Sequence, residues 1–424
     1  MDVSNKQSDF MDNWLYFISL TCIILIYPMS PIGDFLTTVM SHGTEGGLRI
    51  SLLLRSLSTF FLFVFIVFFV QKSRFGVVCL ALILLPIASL FYQSISYSSF
   101  QTKPSHIWES LLLYPKIFSF FLIYSFLENR FPTKILPKYL VIMVDYIFIV
   151  YCLAIVAGAF LNIELFKVYG ESGRFGFKGI ILAANEATPL LMTATLWFIL
   201  RAKSQDRSKL YLLLIFFSCL FLGTKGALIG FFLVIAGAYA SRSGLIKAFM
   251  AMLVLISLMI IIFFVIYNSV DTVRLIVDTS LKYFEYQLLH NVSGNVISLL
   301  LAGRDYKVGQ LFDLMFTYYP YSFIIGGFPT GLYQSEMGLV DLIALLGVPG
   351  AVTFLFLWGK KVGQTKPELS TFNVYLARYF IIAWVVIESL AGHMFASAIS
   401  APFLAAAVFY LKSPIWNKVK DKEE

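Results

Sequence analysis

The stretch SGRFGFKGIILAANEAT, residues 172–188, sets Arg174, Lys178, Asn185 and Glu186 into a chain otherwise dominated by Phe, Leu, Ile and Val. Two cations four residues apart can hold an anion, and an amide and a carboxylate shortly after them can hydrogen-bond a polar ligand. Three further segments carry groups of the same kind. FLGTKGALIG (221–230) places Lys225 between two apolar runs, and LLLAGRDYKVGQ (299–310) places Arg304 just after Gly303 at a helix start. There a guanidinium and free backbone N–H groups converge on one anion. SEMGLVDLIALLGVPG (335–350) brings in Glu336, a carboxylate among candidates that are otherwise mostly cations. Arg49, Arg55, Lys116, Glu388 and His393 are weaker candidates for the same place. Each has a plainer account: snorkelling at an interface, local bilayer thinning around Lys225, an exposed loop arginine, a helix cap at Glu336 after Ser335, or a packing histidine.

The elements that must position these groups are membrane helices. Hydrophobic residues make up 59% of the 424 and charged ones only 13%, which excludes an ordinary soluble domain. The expected fold is all-α, a single integral membrane domain over 1–424. It has twelve spans: 13–30, 50–70, 76–92, 109–127, 139–160, 179–200, 210–223, 226–241, 247–267, 336–357, 372–394 and 397–411. The connections after every second span collect Lys72 and Arg74, then Arg130, Lys134 and Lys138, then Arg201, Lys203, Arg207 and Lys209, then Arg242 and Lys247, then Lys360, Lys361 and Lys366; a tail with Lys412, Lys418, Lys420 and Lys422 follows. This is the positive-inside pattern with both termini cytoplasmic. The net charge of +8 is therefore a topology signal, and nucleic acid is not an expected partner. The start, MDVSNKQSDFMDN, lacks the basic region of a signal peptide, so the first apolar segment is expected to stay in the mature protein. Cys22, Cys79, Cys152 and Cys219 all fall in apolar runs and read as core thiols.

The outer connections are 31–49, 93–108, 161–178, the turn near 224 and one long segment, 268–335. The long loop has the length of a functional lid or binding element. It contains amphipathic helical stretches at 275–289 and 305–319 and the Gly/Pro turn GGFPTG at 326–331. From Lys209 to Lys225 is about 24 Å of helix, and from Lys225 to Arg242 about 25 Å, both short of a core about 30 Å thick. Lys225 is thus expected below the outer boundary, beside water or an anion. Arg174, Lys178, Lys225 and Arg304 at one level need an anionic partner, and a lipid-linked pyrophosphate has the right charge and position. No metal-binding or nucleophilic-serine motif occurs on the outer face, so no metal or other cofactor is expected. Cations would stabilise the leaving group, and a carboxylate such as Glu336 would take the proton from an attacking sugar hydroxyl. Its pKa is raised by burial or lowered by the cations.

In this order, "GRFGFKG…NEA", "GTKGALIGF" in a short turn, "GRD" in a long outer loop and "SEMGLVDLIALLGVPG" opening the next helix resemble the Wzy-type O-antigen polymerase and O-antigen ligase superfamily. The likeness covers roughly residues 165–360; the first four spans match only as hydrophobic helices. It implies a metal-independent, inverting glycosyltransferase of the GT-C type, acting on undecaprenyl-pyrophosphate-linked oligosaccharide at the outer face of the bacterial inner membrane. The family's outer-loop arginines map onto Arg174 and Arg304, and its short-turn cation onto Lys225. Glu336 stands where the ligase branch has a histidine, which favours polymerase over ligase and leaves the base open. In the polymerase reading Arg174, Lys225 and Arg304 hold the pyrophosphate and Glu336 activates the acceptor. Lys178, Arg49, Arg55, Asn185, Glu186 and His393 add substrate contacts, and Tyr318, Tyr319, Tyr321, Phe328 and Tyr333 line the sugar path. A chain-length regulator is the expected protein partner. The alternatives are a ligase acting on lipid A-core and a flippase or transporter of lipid-linked saccharides.

Overall fold

The computed structural model describes residues 3–41, 50–69, 73–96, 103–131, 133, 135–168, 175–202, 207–269, 274, 277–278, 281–282, 285, 298, 301, 303–364 and 370–413. Apolar runs in a medium without water must satisfy their backbone internally, which selects helices. The helices are α1 Val3–Ile26, α2 Met29–Met40, α3 Ile50–Phe69, α4 Ser73–Ser96, α5 Pro104–Arg130, α6 Lys138–Phe160, α7 Ala184–Arg201, α8 Arg207–Leu222, α9 Lys225–Ser243 and α10 Leu245–Ser269. After the long connection come α11 Arg304–Tyr318, α12 Ser322–Ile325, α13 Gly338–Gly363, α14 Thr371–Ala391 and α15 Ser400–Leu411. No strand is formed among the described residues, only an isolated bridge between Lys167 and Phe177.

Each of the twelve expected spans coincides with helix, but length and apolarity qualify fewer of them to cross a membrane. Six pass (α5, α6, α9, α10, α13 and α14), and a seventh is added if the bent pair Tyr16–Ile26 and Met29–Met40 is one span. The shortfall is partly one of length and partly one of composition. Helices α8 and α15, of 16 and 12 residues, are about 24 and 18 Å long against a hydrocarbon core of about 30 Å. The apolar parts of α3 and α4 that qualify among the described residues, Ile50–Ile66 and Leu84–Ile95, are short as well; α7 has 18 residues but carries Asn185, Glu186 and Arg201. Two local expectations also change. Residues 31–40, expected within an outer connection, belong to α2, which meets α1 at 43° across Pro28. The sixth span begins as helix at Ala184, not at 179. Upstream, 175–183 is non-helical because neighbours take its backbone groups: Phe177 N donates to Phe221 O (2.8 Å), Lys178 N to Phe166 O (2.7 Å), and Thr38 Oγ1 to Ile180 O (2.8 Å).

The core centres on α7 and α15, which are buried along nearly their whole length. Helices α5 and α7 pack on α15, α9 lies between α7 and α14, and α1, α2 and α5 surround α3. Helix α10 touches α9 and leaves the rest of its apolar surface outward, as a lipid-facing helix does. At the ends carrying the basic clusters, Asp145 accepts from Trp197 Nε1 (2.6 Å) and Arg201 (3.0 Å), and Lys361 pairs with Glu128 (2.7 Å).

The segment after α12 is fixed by a break in α13. Gly347 adopts φ 71° and ψ 166°, outside helical geometry, two residues before Pro349. The carbonyls freed there are taken by Gly327 N–H on Leu345 O (2.9 Å), Phe328 N–H on Ala344 O (3.1 Å) and the Tyr114 hydroxyl on Leu345 O (3.1 Å). The two backbones touch at this crossing, since a Cβ on Gly347 would sit 2.3 Å from Ile324 O and one on Gly326 2.5 Å from Leu345 O. Further along, Gly331 N–H donates to Ser110 Oγ (3.1 Å), which ties the loop to α5.

Candidate functional site

The loop so anchored closes one wall of a cavity of about 960 Å³. The remaining walls come from α1, α2, α3, α5, the start of α7 and the segment 393–402. On α7 the lining residues Asn185 and Glu186 lie at the end opposite Arg201, the side that the charge pattern assigns to the outer face, while the α5 lining runs from Glu109 to Ile123 through the middle of that helix. The walls are of two kinds. Asp34, Arg55, Glu109, Lys116, Asn185, Glu186, Tyr333, Gln334, Glu336 and His393 make a polar surface. Leu25, Ile26, Leu62, Leu122, Ile123 and Pro402 make an apolar one.

The segment 392–399 is unwound between α14 and α15. Irregular backbone at membrane depth is tolerated where protein or a wet cavity covers it, and here a buried carboxylate helps. Glu388, 1% exposed, accepts from Met394 N (2.5 Å) and Phe395 N (3.3 Å). Glu388 therefore supports the bend and does not line the cavity. The start of α13 packs into the same bend. A Cβ on Gly338 would lie 1.8 Å from Glu388 Oε1 and 2.4 Å from Gly392 O, so only glycine fits. One turn on, Asp341 meets His393, with Nε2 to Oδ2 at 2.6 Å. The other Asp341 oxygen accepts from Ser335 N (2.8 Å) and Ser335 Oγ (2.9 Å).

Glu336 is the cavity's most constrained carboxylate. It holds φ 60°, the left-handed region that a non-glycine residue rarely adopts. Its two oxygens are taken by Lys307 and by Arg304 Nε, the latter at 3.5 Å. Partial burial pushes its pKa up, but the hydrogen bond and charge of Lys307 and the charge of Arg304 outweigh that and hold it below the ordinary carboxylate value. Nearby, Tyr333 donates to Gln310 Oε1 (2.5 Å); burial, then Tyr306, Glu336 and Asp341, push its hydroxyl above the ordinary tyrosine value.

The sequence candidates separate into three groups. Glu336, Arg55, Asn185, Glu186, Tyr333 and His393 line the cavity, as does Lys116. Arg174 and Arg49 lie outside the described residues, as does most of the amphipathic stretch 275–289. The others stand elsewhere. Lys178 is 5% exposed in the non-helical segment, its ammonium on Leu182 O (2.8 Å), so it does not share a helix face with Asn185. Lys225 is exposed at the start of α9, outside this lining. Arg304 stands behind Glu336 and donates to Leu390 O (2.8 Å). Tyr319 and Phe328 are fully buried against each other, ring centroids 5.3 Å apart, in a small apolar cluster that Tyr318 flanks. Tyr321 is 66% exposed.

The lining is also less cationic than the sequence implied. Arg55 and Lys116 face Asp34, Glu109, Glu186 and Glu336, and Arg55 is ion-paired with Asp34, which also accepts from the Tyr151 hydroxyl (2.6 Å). Asp34, Asp341 and Lys307 escaped the sequence reading. Asp341 carried a signal, an ionisable group one turn into an apolar span. Asp34 carried none, because SPIGDFL reads as a turn. No group of three or more His, Cys, Asp or Glu side chains suited to a metal occurs among the described residues. Compared with family models, with curated proteins and with solved structures, the chain matches none.

Proposed function

We propose that this multi-pass membrane protein is a Wzy-type O-antigen polymerase, an inverting, metal-independent glycosyltransferase that joins undecaprenyl-pyrophosphate-linked repeat units. In this reading the short apolar helices complete a twelve-span GT-C arrangement in the bacterial inner membrane, with both termini cytoplasmic. The cavity faces the periplasm, residues 268–335 form the periplasmic loop, and a chain-length regulator binds the assembly. The motif resemblance supports the class. The two-sided cavity supports the substrate, since hydroxyl-rich sugars suit carboxylate, amide and phenol groups while an apolar wall suits a lipid tail.

The observation that carries the reading is Lys116. It lies about 18 Å along α5 from Pro104 and about 21 Å from Arg130, in mid-span. It lines the cavity and has no ion-pair partner among the described residues. A lysine at such depth costs about 2.5–3.5 kcal/mol unless water or an anion attends it. The leaving pyrophosphate is that anion, with Arg55 beside it; Arg304 acts through Glu336, Arg174 remains as the family likeness assigns it, and Lys225, outside the lining, is not among the pyrophosphate contacts. Purified protein in liposomes, given lipid-linked repeat units alone, should build a ladder of polymer on a gel. A ligase makes none without lipid A-core, and a flippase moves the saccharide across the bilayer without joining it.

A further inference from the structure

Resting on the polymerase reading, we propose that the base for the acceptor hydroxyl is His393, oriented by Asp341, and not Glu336. Three geometric facts carry this. His393 lines the cavity and its side chain is 21% exposed, so the ring reaches a bound hydroxyl. One ring nitrogen is held by Asp341, itself 6% exposed and fixed by the Ser335 amide and hydroxyl, which leaves the second nitrogen for the substrate. A histidine held by a buried carboxylate has a set orientation, and the charge it gains is stabilised where it forms. Glu336 has the opposite surroundings, because Lys307 and Arg304 occupy its oxygens. A carboxylate so neutralised is a weak base and a good spacer for two cations.

In the step, the acceptor oxygen attacks the donor anomeric carbon and forms the new glycosidic bond. The bond from that carbon to the pyrophosphate oxygen breaks, and its electron pair leaves with undecaprenyl pyrophosphate. The hydroxyl proton passes to His393, and the resulting imidazolium is stabilised by Asp341 until the proton is lost to water. Asp341 on α13 is bonded to the ring, Glu388 on α14 holds the adjoining Met394 amide, and the charged groups lining the same cavity are Asp34, Arg55, Glu109, Lys116, Glu186 and Glu336.

The test is the pH–rate profile of chain extension in liposomes, with substrate binding and thermal unfolding measured in parallel. H393Q should lower kcat by about 10²- to 10⁴-fold, the usual worth of a general base, and abolish the acidic limb of the profile, while KM stays within about threefold. D341N should lower kcat while KM stays within about threefold, because the ring loses the carboxylate that orients it. E336Q should leave the limb in place. An unchanged acidic limb in folded H393Q, or its loss in E336Q, overturns the assignment while leaving the polymerase reading intact. If wild-type protein extends no lipid-linked saccharide, that reading fails and the base assignment with it.

Discussion

Replacing Lys116 by Gln removes one charge from the cavity and little volume. The size of the effect can be worked from the site. A hydrogen bond from a charged group is worth about 1.5–3 kcal/mol net. An ammonium and a phosphate charge about 4 Å apart interact by about 4 kcal/mol at an effective dielectric of about 20. Taking about 2–4 kcal/mol as the bracket gives a fall of about 30- to 900-fold in kcat/KM. The fold should not suffer, because Lys116 makes no ion pair among the described residues, and relief of a poorly solvated charge leaves the melting temperature unchanged or slightly higher. The assay is ladder formation by K116Q in liposomes at several substrate concentrations, with thermal unfolding in detergent as the control. K116R, which keeps the charge, should recover part of the loss. If K116Q retains kcat/KM within about threefold of wild type, the pyrophosphate does not bind at this lysine. Parallel loss of activity and stability would make Lys116 a structural residue and defeat the reasoning equally.

Three other outcomes follow from the packing. Asp145→Ala leaves Arg201, with a side chain 9% exposed, without its carboxylate and should destabilise the protein by about 3–5 kcal/mol in denaturant or thermal unfolding, since it strands a buried charge. Gly338→Ala should lower stability and activity together, because the new methyl would overlap the Glu388 carboxylate; normal melting and turnover would show that the bend is looser than the contact at 1.8 Å implies. Glu336 titrates below its ordinary value of 4.5, so its pairing stabilises the fold above that value and the contribution disappears as pH falls through the lower folded pKa. The stability gap between wild type and E336Q should therefore persist from neutral pH down to about 4.5 and close only below it. A gap that closes near pH 6 would contradict the pairing with Lys307 and Arg304.

The helices were legible because a long apolar run has one way to satisfy its backbone in lipid, and among the described residues each expected span is helical over most of its length. The amphipathic stretch expected at 305–319 likewise became α11. What failed to show was backbone behaviour that depends on neighbours. Residues 175–183 read as the start of a span, yet their amides and carbonyls go to Phe221, Phe166 and Thr38, all distant in sequence. The site was legible in part for the same reason. Ionisable groups inside apolar runs, such as Lys116 and Glu186, announced themselves by their cost. Pairings did not: His393 looked solitary because Asp341 lies 52 residues earlier, and the Arg55 partner Asp34 sat in a segment read as a loop. Charge excess on the outer side was read as a cation cluster, whereas folding placed a carboxylate against Arg55, Arg304 and Lys307.

The break in α13 has a consequence for how such a protein can diversify. The rim from Gly327 to Phe328 hangs from main-chain carbonyls of a membrane helix, not from side chains, so its placement is insensitive to most replacements along the rim itself. Tyr333 and Gln334, further along the same strap, can thereby change identity without moving the wall that bears them, whereas Glu336 is tied to Lys307 and Arg304. In the polymerase reading, saccharide preference and scaffold integrity are written in separable parts of the chain, and homologues with different repeat units should differ at those two positions while retaining Gly326, Gly347 and Pro349.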